Sequence, residues 1–293
     1  MTIAATPILL AVGSALAYSG LDLLRKLLSG RARPMPLLFY MAAGPVPLFL
    51  IWLLAGGGGG VAATYWLPGG VSVVLNIGAN LAFLEAVRVS PLNLTIPLLS
   101  LSPVFTSLLA MPILGEYPTP AQLAGIGAVV VGAFRLNLAT GGDGSAVGLW
   151  RSFVREKGCP LMALTALLWS LATPLDKIAL ASSSVPFHAM ALNAGVALGV
   201  LAVLAAQGRL SELAGLRRHG ALLTLTIVVS VAGLGLFLTA ISRVWVGLVE
   251  TLKRGIGSLL ALVLGGLFFG ERTTPSQLLA VLLMVAGAVL ILS

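Results

Sequence analysis

The sequence predicts an all-α polytopic membrane protein of ten transmembrane helices, built as two inverted five-helix halves. Three observations predict it. Of 293 residues, 58% are hydrophobic and only 9% charged, with a mean hydropathy of +1.07. A soluble domain needs about a quarter of its residues charged to cover its surface, so the outer face of this chain must meet something apolar. The apolar residues also fall into ten stretches, each near the ~20 residues that a helix needs to cross a bilayer. Finally, the two halves of the chain carry the same motifs in the same order.

The ten stretches are 4–25, 35–55, 67–88, 93–114, 120–139, 160–181, 186–206, 220–242, 246–269 and 275–292. Short polar or Gly/Pro-rich pieces separate them, including the run Gly56 to Gly60. Residues Met1 to Thr6 lack a basic n-region, so the first stretch is expected to be a retained span. The longest connection runs from Thr140 to Gly158. It is the expected boundary between a first repeat, 1–139, and a second, 159–293, with 140–158 as the linker.

The repeat is legible at an offset of about 155 positions. Gly115-Glu116 with Gln122 matches Gly270-Glu271 with Gln277, and Gly132-Ala133 matches Gly287-Ala288. Phe83-Leu84-Glu85-Ala86 resembles Phe237-Leu238-Thr239-Ala240. Tyr18-Ser19 stands beside Trp169-Ser170, and Lys26 beside Lys177. An odd number of spans per copy inserts the second copy upside down. Inverted repeats commonly hold a substrate near the midplane, between the halves.

An early aromatic-Ser, then Gly-Glu, then Gln, then a final helix of small residues, all given twice, resembles the drug/metabolite transporter superfamily, EamA-like family. The resemblance covers roughly 11–138 and 162–292. It implies a ten-helix exporter or exchanger in the cell (inner) membrane, with its site between the repeats and no cofactor.

The net charge is +8, and most basic residues lie between apolar stretches, which reads as membrane orientation and not as nucleic-acid binding. Thirteen of the seventeen Lys and Arg residues fall on one side and two, Lys177 and Arg243, on the other. Positive loops stay cytoplasmic, which predicts both termini outside. Relatives of the family are usually described with cytoplasmic termini, and the charge bias is the stronger of the two arguments.

Charges inside spans are costly, at least about 2.5 kcal/mol each at mid-bilayer, and usually face a cavity or a partner. Glu250, Lys253 and Arg254 share one helix face in the ninth stretch. One acid neutralises one base, leaving a cation to bind an anion; Arg grips carboxylate or phosphate through two parallel bonds. The Lys253-Arg254 pair is similar to the one with which plastid sugar-phosphate translocators of the same superfamily grip phosphate. Glu250 beside it argues against a doubly charged phosphate.

Asp176 and Lys177 follow Pro174 in the sixth stretch, and Asp176 is expected to pair with Lys253 or Arg254. Asn80 and Asn193 are polar groups within spans. Tyr18 and Trp169 could flank the site as a pseudo-symmetric pair. Together with Lys253, Arg254 and Glu250 these form the expected substrate-binding set. Asp22, read as a local partner of Arg25 or Lys26 near the membrane edge, and Glu85, paired with Arg88, are candidate proton carriers. Glu116 and Glu271 are expected to cap the helices that follow them.

The partners expected are membrane lipid and a small anionic or zwitterionic substrate, including phosphate-bearing ones, with the chain a monomer or homodimer. A flippase for a lipid-linked phosphate is the alternative within the class, and a scaffold or sensor without transport the alternative outside it. No H-E-x-x-H, G-x-S-x-G or G-x-x-x-x-G-K-[ST] occurs, which argues against an enzyme or an ATP-driven pump. One cysteine, Cys159, and two histidines, His188 and His219, far apart in sequence, leave no expected metal site.

Overall fold

A computed structural model describes residues 5–56, 58–90, 95–141, 156–269 and 275–292, and no strand occurs among them. Helix α1 spans Ala5–Ser29. The second span, Pro34–Ala55, is split into α2 (Pro34–Ala43) and α3 (Pro45–Ala55). Pro45 and Pro47 supply no backbone N–H, so the hydrogen-bond ladder breaks at Gly44. A 3₁₀ turn, Ala63–Tyr65, leads into α4 (Trp66–Val89). The fourth span opens as a 3₁₀ helix, Ile96–Leu101, before α5 (Ser102–Leu114). Pro97 and Pro103, which lack a backbone N–H, explain this tighter start.

Then come α6 (Pro120–Gly141), α7 (Gly158–Ala181), α8 (Val185–Ala206), a 3₁₀ segment (Leu210–His219), α9 (Gly220–Ile241), α10 (Val246–Phe269) and α11 (Pro275–Leu292). Six described helical spans are long and apolar enough to cross a membrane by themselves. Helix α10 is the one that carries Glu250, Lys253 and Arg254. Large apolar side chains point outward along most spans: Leu9, Ile51, Leu54, Val74, Leu198 and Leu282 are all more than 60% exposed. That surface fits a lipid environment and fits water poorly. The chain is an all-helical multi-pass membrane protein made of two repeats.

Packing follows an exchange of partners between the repeats. Helix α1, the first span of one repeat, lies along α9, the third span of the other; α7, the first span of the second repeat, lies along α4, the third of the first. The last spans, α6 and α11, pack on each other, and the split second span packs on α8. Small residues allow the closest crossings. A Cβ added at Gly287 of α11 would stand 2.6 Å from the Gly125 carbonyl oxygen of α6. On α8, the Gly195-x-x-x-Gly199 spacing seats Val73 and Ile77 of α4. Gly270 and Glu271 lie outside the described residues. Two large apolar clusters form, one around Leu21, Phe83 and Met162 and one around Phe49, Leu238 and Leu248, with Tyr18 packed against both; a small third one joins Ala133, Ala280 and Met284.

The helix ends explain the Gly-Glu motif of the first repeat in physical terms. Gly115 ends α5 in the left-handed conformation (φ 68°), which glycine adopts without strain. Thr119 and Gln122 form a reciprocal capping box: the Gln122 amide donates to Thr119 Oγ1, and the Thr119 amide donates to Gln122 Oε1. Glu116, expected to cap α6, therefore does something else. Its Oε2 accepts the Val246 backbone N–H at the start of α10, and its Oε1 binds Lys177 Nζ at 2.5 Å. Lys177 also donates to the Val244 carbonyl. One lysine and one glutamate thus tie α7 to the α5–α6 corner and to the α9–α10 corner at one face. Replacing Lys177 by Met is expected to lower stability by about 1–3 kcal/mol, read by thermal unfolding, because a partly buried carboxylate loses its cation.

At the opposite face, Lys26 donates to the Val87 carbonyl and not to Asp22, tying α1 to α4. Arg33 and Arg209 both bind Glu212 beside the 3₁₀ segment. The Arg209 hydrogen bond, helped by the charges of Arg209 and Arg33, holds the Glu212 carboxyl below the usual carboxylate range. This tie is present at neutral pH and is lost as pH falls through the lowered value.

Candidate functional site

A cavity of about 120 Å³ lies between the repeats. Helices α1, α2 and α4 of the first repeat and α7, α8, α9 and α10 of the second all line it. Its wall carries three carboxylates, Asp22, Asp176 and Glu250, and three cations, Arg25, Lys253 and Arg254. Tyr18, Trp169, Asn76, Asn80 and Asn193 also face it. Of the residues singled out in the sequence, Tyr18, Asp22, Asn80, Trp169, Asp176, Asn193, Glu250, Lys253 and Arg254 share this one wall.

Helix spacing places the charges of α10. Lys253 Nζ meets Glu250 Oε1 at 2.5 Å, one turn back on the same face. Both side chains are buried, Glu250 to 3% exposure and Lys253 to 11%. The Lys253 ammonium also stands over two rings, 5.0 Å from the centre of Tyr18 and 4.3 Å from that of Phe237. These contacts compensate its loss of water. Arg254, next in sequence, points 100° further round the helix. Its Nε is buried with no hydrogen-bond partner among the described residues, and no described carboxylate closes an ion pair with it.

Across the cavity Arg25 occupies a comparable setting. Its guanidinium lies 5.3 Å from the Phe83 ring centre and 5.9 Å from that of Trp169. It reaches Asp22 Oδ1 and Asn80 Oδ1, each at 3.4 Å. Asn80 donates in turn to the Asn76 carbonyl. Asp22 and Arg25 thus form the local pair that their spacing suggests, and both stand on the cavity wall. The reason is that α1 continues to Ser29, so that both lie within the helix and face inward.

Three readings of individual residues change. Lys177 is absent from the cavity wall, because Glu116 and the Val244 carbonyl hold it at the helix end. Glu85 is also remote from it: Arg88 grips both its oxygens, at 2.7 and 2.5 Å, beside Arg33 and Arg209 at the protein surface. Asp176 pairs with neither Lys253 nor Arg254. It accepts from Ser72 Oγ of α4 and lies 3.1 Å from His188 Nε2 of α8. Sequence reasoning considered His188 only as a metal ligand and passed over Ser72 and Tyr65. Nothing in a one-dimensional pattern brings residues 65, 72, 176 and 188 together, although a histidine within a span is itself a signal.

A family model described as the EamA-like transporter family matches residues 5–138 and again 156–293. The chain belongs to the EamA-like transporter family. Two matches in one chain are the two repeats already seen in the motif order and in the exchanged helix partners. This EamA-like protein is also similar in fold to a solved structure titled only "Crystal structure of protein", with a TM-score of 0.71 and 20% identity. The match covers 97% of this chain and 95% of that one. No curated protein matches the chain.

The repeat relation extends into the cavity of this EamA-like transporter. Tyr18 and Trp169 are mates in the two repeats, as are Phe83 and Phe237. Tyr18 meets Phe237 edge-on with ring centres 6.1 Å apart, and Trp169 meets Phe83 at 5.6 Å. Each pair joins the first span of one repeat to the third span of the other, and each carries one cation, Lys253 or Arg25. Among the described residues no group of three or more His, Cys, Asp or Glu could hold a metal ion.

Proposed function

We propose that the protein is a secondary active transporter that moves a small anionic or zwitterionic metabolite across the membrane by alternating access, as exporter or exchanger. The observation that carries this reading is Arg254: a guanidinium on the cavity wall, buried at Nε, with no carboxylate partner among the described residues. A buried cation without a partner is costly, and an anionic substrate group supplies the missing partner through two parallel hydrogen bonds. Glu250 and Asp176 bring negative charge to the same wall, which suits a substrate with an amino group as well as a carboxylate. Tyr18 and Trp169 offer flat apolar surface for its body.

The test is ligand-induced stabilisation of the purified protein with a panel of amino acids, carboxylates and sugar phosphates. The hits are then taken into counterflow in proteoliposomes. Stabilisation by anionic or zwitterionic compounds, lost in Arg254→Gln, is expected. Stabilisation confined to cationic compounds would reject the assignment, and stabilisation confined to lipid-linked phosphates would favour the flippase reading.

The same reading sets the orientation from the loop charges, with the Arg31, Arg33 and Arg209 face in the cytoplasm and both termini outside. A cytoplasm-active reporter fused after Ser293 is expected to be silent and an exported reporter active. The reverse pattern overturns this orientation.

A further inference from the structure

His188 stands in the first turn of α8 with none of its surface exposed. Its Nε2 lies 3.1 Å from Asp176 Oδ1, and its Nδ1 lies 3.1 Å from Tyr65 Oη. Ser72 donates to the same Asp176 oxygen, and Asn76 Nδ2 bonds Ser72 Oγ at 3.2 Å. Asp176 and Asn76 are the members of this cluster that share the cavity wall with the α10 charges, while His188 and Tyr65 stand behind them. Anion binding at Arg254 makes no use of His188 or Tyr65.

Both ring nitrogens keep a hydrogen-bond partner in both charge states of the ring. With a neutral imidazole, Nε2–H donates to Asp176, and Nδ1 accepts from the Tyr65 hydroxyl. With an imidazolium, Nε2–H still donates to Asp176, and Nδ1–H donates to the Tyr65 oxygen once that hydroxyl rotates. A buried polar group left unpaired costs about 1–3 kcal/mol; neither ring nitrogen is left unpaired in either state, and the imidazolium asks only that the Tyr65 hydroxyl turn its hydrogen off the ring. A histidine held only for packing would need partners for one state. Histidine is also the side chain whose ordinary charge change falls between pH 5 and 8.

The surrounding charges give a proton at this place a consequence. Facing the pair are Tyr65 from the 3₁₀ turn, Tyr18, Asp22 and Arg25 from α1, and Glu250, Lys253 and Arg254 from α10. Helices α3, α5 and α9 bring no titratable side chain, and Tyr40 of α2 is bonded to the Leu213 carbonyl in the 3₁₀ segment that follows α8. On α7 itself, Lys177 is engaged by Glu116; on α4, Glu85 and Arg88 pair with each other at the other face. With His188 neutral, the three carboxylates and three cations of the cavity balance. A proton on His188 gives Asp176 a counter-ion and leaves the cavity with one cation in excess.

We propose that the Asp176–His188 pair is the proton-binding site of this transporter, and that a proton taken up there favours an anion in the cavity. One N–H bond forms at Nδ1 as one O–H bond of a hydronium ion breaks and leaves water, and the Tyr65 hydroxyl turns its hydrogen away from the ring. The link to the anion rests on the reading of Arg254; the proton site does not.

His219 is the only other histidine, so His219→Gln leaves His188 as the single ring. With ¹⁵N-histidine in lipid nanodiscs, the ring nitrogens distinguish imidazole from imidazolium. In His219→Gln the ring is expected to be neutral at pH 8 and imidazolium at pH 5. Adding Asp176→Asn is expected to keep it neutral at both. Tyr65→Phe, which removes one oxygen, is expected to shrink the imidazolium signal at pH 5, and it serves where the aspartate variant does not fold. A ring in the same state at both pH values overturns the proposal, as does an unchanged response in the variants.

A second arm uses sulfate, which stays ionised across this range, as the probe anion. In weakly buffered medium, sulfate binding is expected to draw up to about one proton per protein from solution, since linkage is reciprocal. His188→Gln is expected to abolish that uptake. Sulfate binding without proton uptake overturns the coupling. Failure of sulfate to bind counts against the Arg254 reading, while the histidine spectra still decide the proton site.

Discussion

Replacing Glu250 by Gln is expected to destabilise the protein by about 3–5 kcal/mol, because it strands the Lys253 ammonium in the interior. The pair is buried on both sides, 3% and 11% exposed, so water replaces the lost carboxylate poorly. The rings of Tyr18 and Phe237 beneath Lys253 soften this loss by about 1–2 kcal/mol without abolishing it. Lys253→Gln is expected to cost a similar amount, since it leaves Glu250 charged and unpaired. The double replacement, Glu250→Gln with Lys253→Gln, is expected to recover most of the stability, because two neutral amides at the same spacing demand no counter-ions. Thermal or denaturant unfolding in one detergent reads all four proteins. Additive single-variant losses would show that the two charges act independently and would refute the pairing as the organiser of α10.

Arg254→Gln is expected to behave in the opposite way. Its guanidinium has no described carboxylate partner, so removing the charge relieves a desolvation cost and should leave the melting temperature unchanged or higher. Ligand affinity is expected to fall about 10- to 150-fold, corresponding to roughly 1.5–3 kcal/mol for charge-assisted hydrogen bonds. Arg254→Lys keeps the charge but not the planar fork, so it is expected to recover part of the affinity. Stability gained with binding lost is the signature of a residue kept for a ligand. A melting temperature lowered by several degrees with binding intact would instead make Arg254 a packing residue. The contrast between neighbours in sequence is instructive, for Lys253 is held by Glu250 one turn away and Arg254 is not.

The sequence by itself determined the class, the number of spans and the duplication. The cost of burying charge and backbone polar groups in lipid leaves a 293-residue chain with 9% charge few other solutions. It also singled out the charges of α10, since intramembrane charges are rare enough to stand out one by one. Local chemistry was legible where charged partners lie within one turn: Glu250 with Lys253, Asp22 with Arg25, and Glu85 with Arg88. What only the tertiary structure decided is which distant elements meet. Glu116 and Lys177 are 61 positions apart and close one face of the bundle. Asp176 was expected to reach across to α10, and it turned instead to Ser72 and His188, because α7 lies along α4 and beside α8. The physical reason is general: helix periodicity orders residues three and four apart, whereas contacts between helices depend on crossing geometry, set by small residues such as Gly125, Gly195 and Gly287. The ten spans and their two copies belong to the sequence; the cavity, its balanced charge and the histidine behind Asp176 belong to the packing.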